Sequence, residues 1–250
     1  MLAIRIKITK IICLIGTLIF IISQGKAQAP PVLIIPEYQA LTESNPSYMP
    51  ARIFPLGWSK KGAFAYAMEW PDEAGPAYTM NVFVLDRQVE DQSPLFSYKV
   101  ESGIEGNEKQ PNDRESVWRV FGDSIRALLE PFEIIESREI KVKSLASYEK
   151  ATGNSYKLRI LNRKDQASSF AQEHIQELEI LPLGKGKAQG FLYAERYEFI
   201  DEPAYPIQAF LRYYLAHPYS DKILMILERV YQGKKGSSKP VSFEFVEAWE

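Results

Sequence analysis

Residues from which reactive centres are built are scarce in this sequence. Among 250 residues there is one cysteine, Cys13, and there are two histidines, His174 and His217. Metal sites usually show as paired His or Cys ligands at short spacing, and two distant imidazoles give no such sign. A calcium loop needs alternating Asp or Asn before a glycine and a closing Glu; Asp72, Glu73 and Gly75 are too few and read as a solvated turn. No Gly-any-Ser-any-Gly elbow occurs, so a serine nucleophile cannot be placed beside a histidine. Gly184 to Gly190 and Gly233 to Lys239 precede strands rather than a helix, and their glycines lack the spacing of a dinucleotide fingerprint. With 32 acidic residues, a catalytic carboxylate pair cannot be singled out. No catalytic residue, no cofactor and no metal site is expected.

Long hydrophobic runs are also lacking. The apolar stretch from Ile11 to Ile22 falls short of the roughly 20 residues that a membrane-spanning helix needs. Arg5, Lys7 and Lys10 precede it and Gly25, Lys26, Ala27, Gln28 and Ala29 follow, an order that reads as a secretory signal peptide. Small residues fit a cut after Ala27 or after Ala29, but Pro30 would follow the second bond, so residues 1–27 are expected to be removed. That removal takes four of the 30 basic side chains and no acidic one, leaving 26 against 32. An acidic mature chain has no basic stripe for phosphates, which argues against a nucleic-acid partner and against adhesion to anionic lipid. Membrane contact is expected only through the leader before cleavage. Cys13 leaves with the leader, and Lys10, Ile11 and Ile12 before it do not resemble a lipidation site. A cysteine-free chain in the periplasm or outside a bacterial cell is expected, long enough to bury a core without cross-links.

What is present is ordinary globular composition: 46% hydrophobic, 12% aromatic and 25% charged residues. It excludes a disordered tail, a collagen-like repeat and a polytopic membrane protein. Residues 28–50, with five prolines, read as an irregular lead-in. Phe54, Leu56 and Trp58, then Phe64, Tyr66, Met68 and Trp70, alternate on either side of Ser59 to Gly62, which predicts a β-hairpin. A strand is expected over Tyr78 to Asp86 and a surface loop over 101–114. Val117, Phe121, Ile125 and Leu128 recur at helical spacing, so one amphipathic helix is expected from about Asp113 to Glu130, capped by Asp113 and ended by Pro131.

Past the helix the period returns to two, at Ile140 and Val142 and at Leu158 and Ile160. Residues 165–181 fit either helix or strand, with strand expected toward their end. Phe191 to Phe199, Ile207 to Leu215, Ile223 to Leu227 and Val241 to Trp249 predict a C-terminal four-stranded antiparallel meander. The whole predicts an α+β, β-rich fold with one amphipathic helix, as a single domain over 51–250.

The run Gly57, Trp58, Ser59, Lys60, Lys61, Gly62, Ala63, Phe64, Ala65, Tyr66, followed by Tyr78 and by Val82, Phe83, Val84, Leu85, Asp86, resembles the opening of an uncharacterised family of predicted secreted bacterial proteins, a domain of unknown function. That resemblance covers about a third of the chain and implies export and fold rather than chemistry. The same hairpin is similar to a blade of TolB-type β-propellers, but a propeller repeats its motif and this motif occurs once.

Function is therefore expected to lie in binding. Tyr213, Tyr214, His217 and Tyr219 crowd one strand end and form the candidate surface, because aromatic rings give contact area at low entropic cost. An envelope protein or a glycan is the expected partner. A secreted hydrolase assembled from distant residues is the alternative, and an outer-membrane β-barrel a second one.

Overall fold

A computed structural model describes residues 28–38, 48–70, 78–86, 93–100, 110–137, 139–164, 173–183, 192–197, 205–233 and 238–248. The expected leader, most of the 101–114 loop, Phe170 and Trp249 lie outside these residues.

The N-terminal stretch of the hairpin region runs through β1 (Tyr48–Pro50) into β2 (Arg52–Trp58), and β3 (Phe64–Glu69), β4 (Tyr78–Leu85) and β5 (Phe96–Val100) follow. Helix α1 (Arg114–Leu129) begins where expected: Asp113 Oδ1 accepts from the Ser116 N–H at 2.8 Å, while Ser116 Oγ accepts from the Asp113 N–H at 3.2 Å, satisfying two helix-end donors. A 3-10 turn holding Pro131 closes it. Then come β6 (Ile135–Glu136), β7 (Val142–Ser144), helix α2 (Leu145–Thr152), β8 (Ser155–Lys164), β9 (Glu173–Leu183), β10 (Tyr193–Arg196), β11 (Pro206–Ala216), β12 (Ile223–Tyr231) and β13 (Lys239–Ala248).

Among the described residues these strands form three sheets. The first has the order β1-β13-β12-β11-β7, antiparallel except for the parallel β1–β13 pair; the second is β5-β4-β3-β2-β6; the third is β10-β9-β8. The α+β, β-rich fold with antiparallel sheets is thus observed. Of the four strands expected in the C-terminal meander, the last three are consecutive neighbours, whereas β10 pairs with β9 in the third sheet. The free edge of β11 at Tyr213 to Leu215 is taken instead by β7. The helix α2, not expected from the sequence, also forms, ended by Gly153 in the left-handed region at φ 75°.

Alternation along β12 explains how these sheets stack. Leu224, Ile226 and Val230 point to one side, where they meet Ile53, Trp58, Phe64, Tyr66 and Met68 of the second sheet. Ile223, Met225 and Leu227 point to the other, against Leu145 and Tyr148 of α2 and Ile175, Leu178 and Ile180 of β9. The second sheet in turn covers its outer face, with Phe54, Ala65, Ala67, Met80 and Val82, by Val117, Trp118, Ile125 and Leu129 of α1. Four layers follow: α1, second sheet, first sheet, then α2 with the third sheet. A strand buried on both faces reads as an unbroken apolar run, which is what Ile223 to Leu227 is. Burying each such side chain contributes about 1.5–3 kcal/mol.

The lead-in belongs to this core. Residues 31–35 run extended as a strap: Leu33 and Ile35 are buried while Val32 and Ile34 face outward, and the Leu33 N–H donates to the Ile53 carbonyl at 2.7 Å.

Candidate functional site

The four residues expected to form one aromatic surface are divided by the sheet that carries them. Tyr214 is buried on the α2 side, its ring tilted against Tyr148 with centroids 5.2 Å apart, whereas Tyr213 lies on the opposite side and donates its hydroxyl to Glu37 at 3.1 Å. Successive side chains of a strand point to opposite faces, so adjacent tyrosines cannot share one. His217 is 5% exposed, its ring edge-on to Trp58 at 4.8 Å. Tyr219 alone is open to solvent, in the turn between β11 and β12. Of these four, one ring is open to solvent, and the other three residues pack in the core or toward the strap.

His217 is held from three directions. Its Nδ1 accepts from the Tyr219 N–H at 3.1 Å and lies 2.8 Å from Ser220 Oγ, which fixes the proton on Nε2, 3.1 Å from the Ser59 carbonyl to which it donates. A Ser220–His217 pair therefore exists, but the ring is oriented by a backbone carbonyl rather than by an acid. Burial pushes its pKa below the usual imidazole value, and the bond to Ser59 only partly opposes this. His174 lies in β9, 6.3 Å from the Tyr205 ring and far along the chain from the other imidazole.

Two arginine clusters organise the polar interior. A bulge between Leu211 and Tyr213 leaves Arg212 as the extra residue, turned to the same side as Tyr213. Its guanidinium grips the carboxylate of Glu228, which is fully buried, with Nε 3.2 Å from Oε1, and reaches Glu37 Oε1 at 2.8 Å. Tyr38 donates its hydroxyl to Glu228 Oε2 at 2.9 Å, and burial together with that carboxylate raises the phenol's pKa. Across the same strand, Arg229 is paired with Glu195 and Glu244, and the Tyr193 and Tyr197 hydroxyls each donate to Glu195 Oε2 at 2.7 Å. Sequence reading missed both clusters, since their members stand up to 190 positions apart. The one signal that pointed to them was charge inside an apolar strand, at Glu228 and Arg229.

Cavities gather beside the strap. One holds about 460 Å³ and runs as a groove, with Pro31, Val32 and Ile34 on one wall and Glu139, Ile140 and Val142 on the other. Val32 is 42% and Ile34 53% exposed, large apolar side chains presented to solvent on a segment whose Leu33 and Ile35 are buried. Another cleft, of about 220 Å³, is lined by Trp70 and Phe83 of the second sheet and by Arg229, Tyr231 and Glu244 of the first. A third, about 370 Å³, lies at the start of α1 and reaches Glu69, whose Oε1 accepts from the Tyr78 hydroxyl at 2.5 Å and whose Oε2 is 2.9 Å from Arg52 Nε. Among the described residues no group of three or more His, Cys, Asp or Glu side chains is placed to hold a metal ion.

The chain matches no known protein family, no curated protein and no solved structure. The likeness of the Gly57 to Asp86 region to secreted proteins and to a propeller blade rests on those residues alone.

Proposed function

We propose that this chain is an exported, non-enzymatic binding module of the bacterial envelope, periplasmic or secreted, which holds a segment of another envelope protein in the groove beside the strap. The observation that carries the reading is the exposure of Val32 and Ile34 along this groove of about 460 Å³. Contiguous apolar surface rimmed by polar groups is what partner contacts use, and here Glu139 and Lys141 form the rim. The strap is extended and its inward residues are packed, so the groove is preformed and little entropy is lost on binding. A hydrocarbon wall of this kind suits contact rather than proton transfer.

A second reading, a glycan ligand, is favoured by the aromatic cleft, where Trp70 is 46% exposed beside the Arg229–Glu244 pair. Flat rings with nearby fork-shaped polar groups present the apolar platform and the hydrogen-bonding edge that a sugar face needs. A photoactivated cross-linker at position 34 tests the first reading in cells. The expected result is a discrete adduct with an envelope protein, lost when Val32→Asp and Ile140→Asp are combined and kept in Trp70→Ala. An adduct indifferent to groove charge overturns the groove assignment. Oligosaccharide binding that Trp70→Ala abolishes, with no adduct, replaces it by the glycan reading.

A further inference from the structure

We propose that the mature chain begins at Gln28 and that this residue closes on itself to a pyroglutamyl ring, a modification that rests on the reading of the chain as exported. Two bonds, after Ala27 and after Ala29, satisfy the small-residue requirement of leader removal. The fold separates them. Ala29 is 8% exposed and its methyl packs in the cluster of Phe54, Leu56, Trp118 and Leu129; Pro30 is buried beside it. A chain cut after Ala29 would lack a methyl group that the folded body packs just ahead of the strap. A cut after Ala27 leaves every packed residue in place and puts the new terminus on Gln28, which is exposed.

A glutamine with a free α-amine carries its own electrophile. The amine nitrogen attacks Cδ of the side-chain carboxamide, a five-membered lactam forms, and the bond from Cδ to the amide nitrogen breaks. The nitrogen leaves as ammonia, taking the proton that the amine gives up, so the step needs no oxidant and no second reactant. Both groups belong to one residue, which keeps the reaction intramolecular and its effective concentration high.

Location gives the ring a consequence. Gln28 lines a small pocket together with Trp118, Arg126 and Glu136, and Arg126 Nε donates to Glu136 Oε1 at 2.7 Å. An α-ammonium at Gln28 would bring a second cation to the pocket that holds that ion pair. The lactam is neutral and leaves the pair intact. It also denies aminopeptidases a free amine at the point where the strap starts.

Intact-mass spectrometry of the full chain, expressed with its leader in a bacterial host and recovered from periplasm and medium, tests this. The expected species starts at residue 28, is lighter than that sequence by one ammonia, resists stepwise N-terminal degradation, and becomes sequenceable after pyroglutamyl aminopeptidase treatment. Gln28→Ala is expected to show the same cut with a free amine. A species starting at Gln28 with its amide intact after prolonged incubation overturns the ring and leaves export standing. A species starting at Pro30 overturns the placement of the cut. Recovery of only the unprocessed chain overturns the export reading and the ring with it.

Discussion

His217 illustrates how a single ring can tie two sheets. Its Nε2–H reaches the Ser59 carbonyl in the β2–β3 turn, and its Nδ1 caps the Tyr219 amide in the β11–β12 turn. Protonating Nδ1 would set one N–H against another. Burial already lowers the pKa below the ordinary value of 6.5, so the neutral ring is the form the fold prefers. Stability from this residue is therefore complete above the unfolded pKa and is lost as pH falls below it, through the depressed folded value. Urea midpoints measured from about pH 8 to about pH 5 are expected to fall more for the natural chain than for His217→Gln; equal slopes would remove the histidine from the pH response. From sequence, His217 stood out by its neighbours Tyr213, Tyr214 and Tyr219. Its decisive partners, Trp58 and Ser59, lie more than 150 positions away, and no local pattern could supply them.

Among elements, β2 shows what alternation can and cannot foretell. The hairpin with β3 and its turn was legible from apolar residues at every second position and from Gly62, whose φ is 112°. The irregularity between Pro55 and Gly57, and the short β6 docked on Gly57, were not. A Cβ on Gly57 would stand 2.1 Å from the Ile135 carbonyl oxygen, a backbone atom with nowhere to retreat. Gly57→Ala is expected to displace β6 and cost about 1–3 kcal/mol of unfolding free energy, read from denaturant titration; an unchanged midpoint would show that β6 adds nothing to stability. Helix α1 was legible because stripe, cap and proline agreed. β9 was ambiguous for a physical reason: the irregularity where Leu161 and Asn162 face Glu177 and Ile175 shifts the buried face from Leu178 and Ile180 to Ile175, which breaks a period of two.

Across the whole molecule, the layer order depends on contacts between the two ends of the chain. Apolar alternation announced sheets, yet it could not say that both faces of the first sheet would be covered, nor that the lead-in would join the core. The candidate groove was equally hidden, because its walls come from residues 31–34 and 139–142. Arg212 is the main fastening: it neutralises buried Glu228 and holds Glu37 and Tyr38 against β11. Arg212→Ala would leave Glu228 without its counter-charge, and an uncompensated buried carboxylate costs about 3–5 kcal/mol. The variant is expected to unfold at a lower denaturant midpoint, with faster proteolysis of the strap than of the sheets; proteolysis spread evenly would mean that the strap is not held by this pair.

Polypeptides are made from the amino terminus, and the seat of Tyr38 is furnished by Arg212 and Glu228, just as β1 waits for β13. The earliest of these residues to leave the ribosome thus have nowhere to settle until nearly the last have arrived, and a nascent chain stays unfinished, and threadable, through almost all of its synthesis.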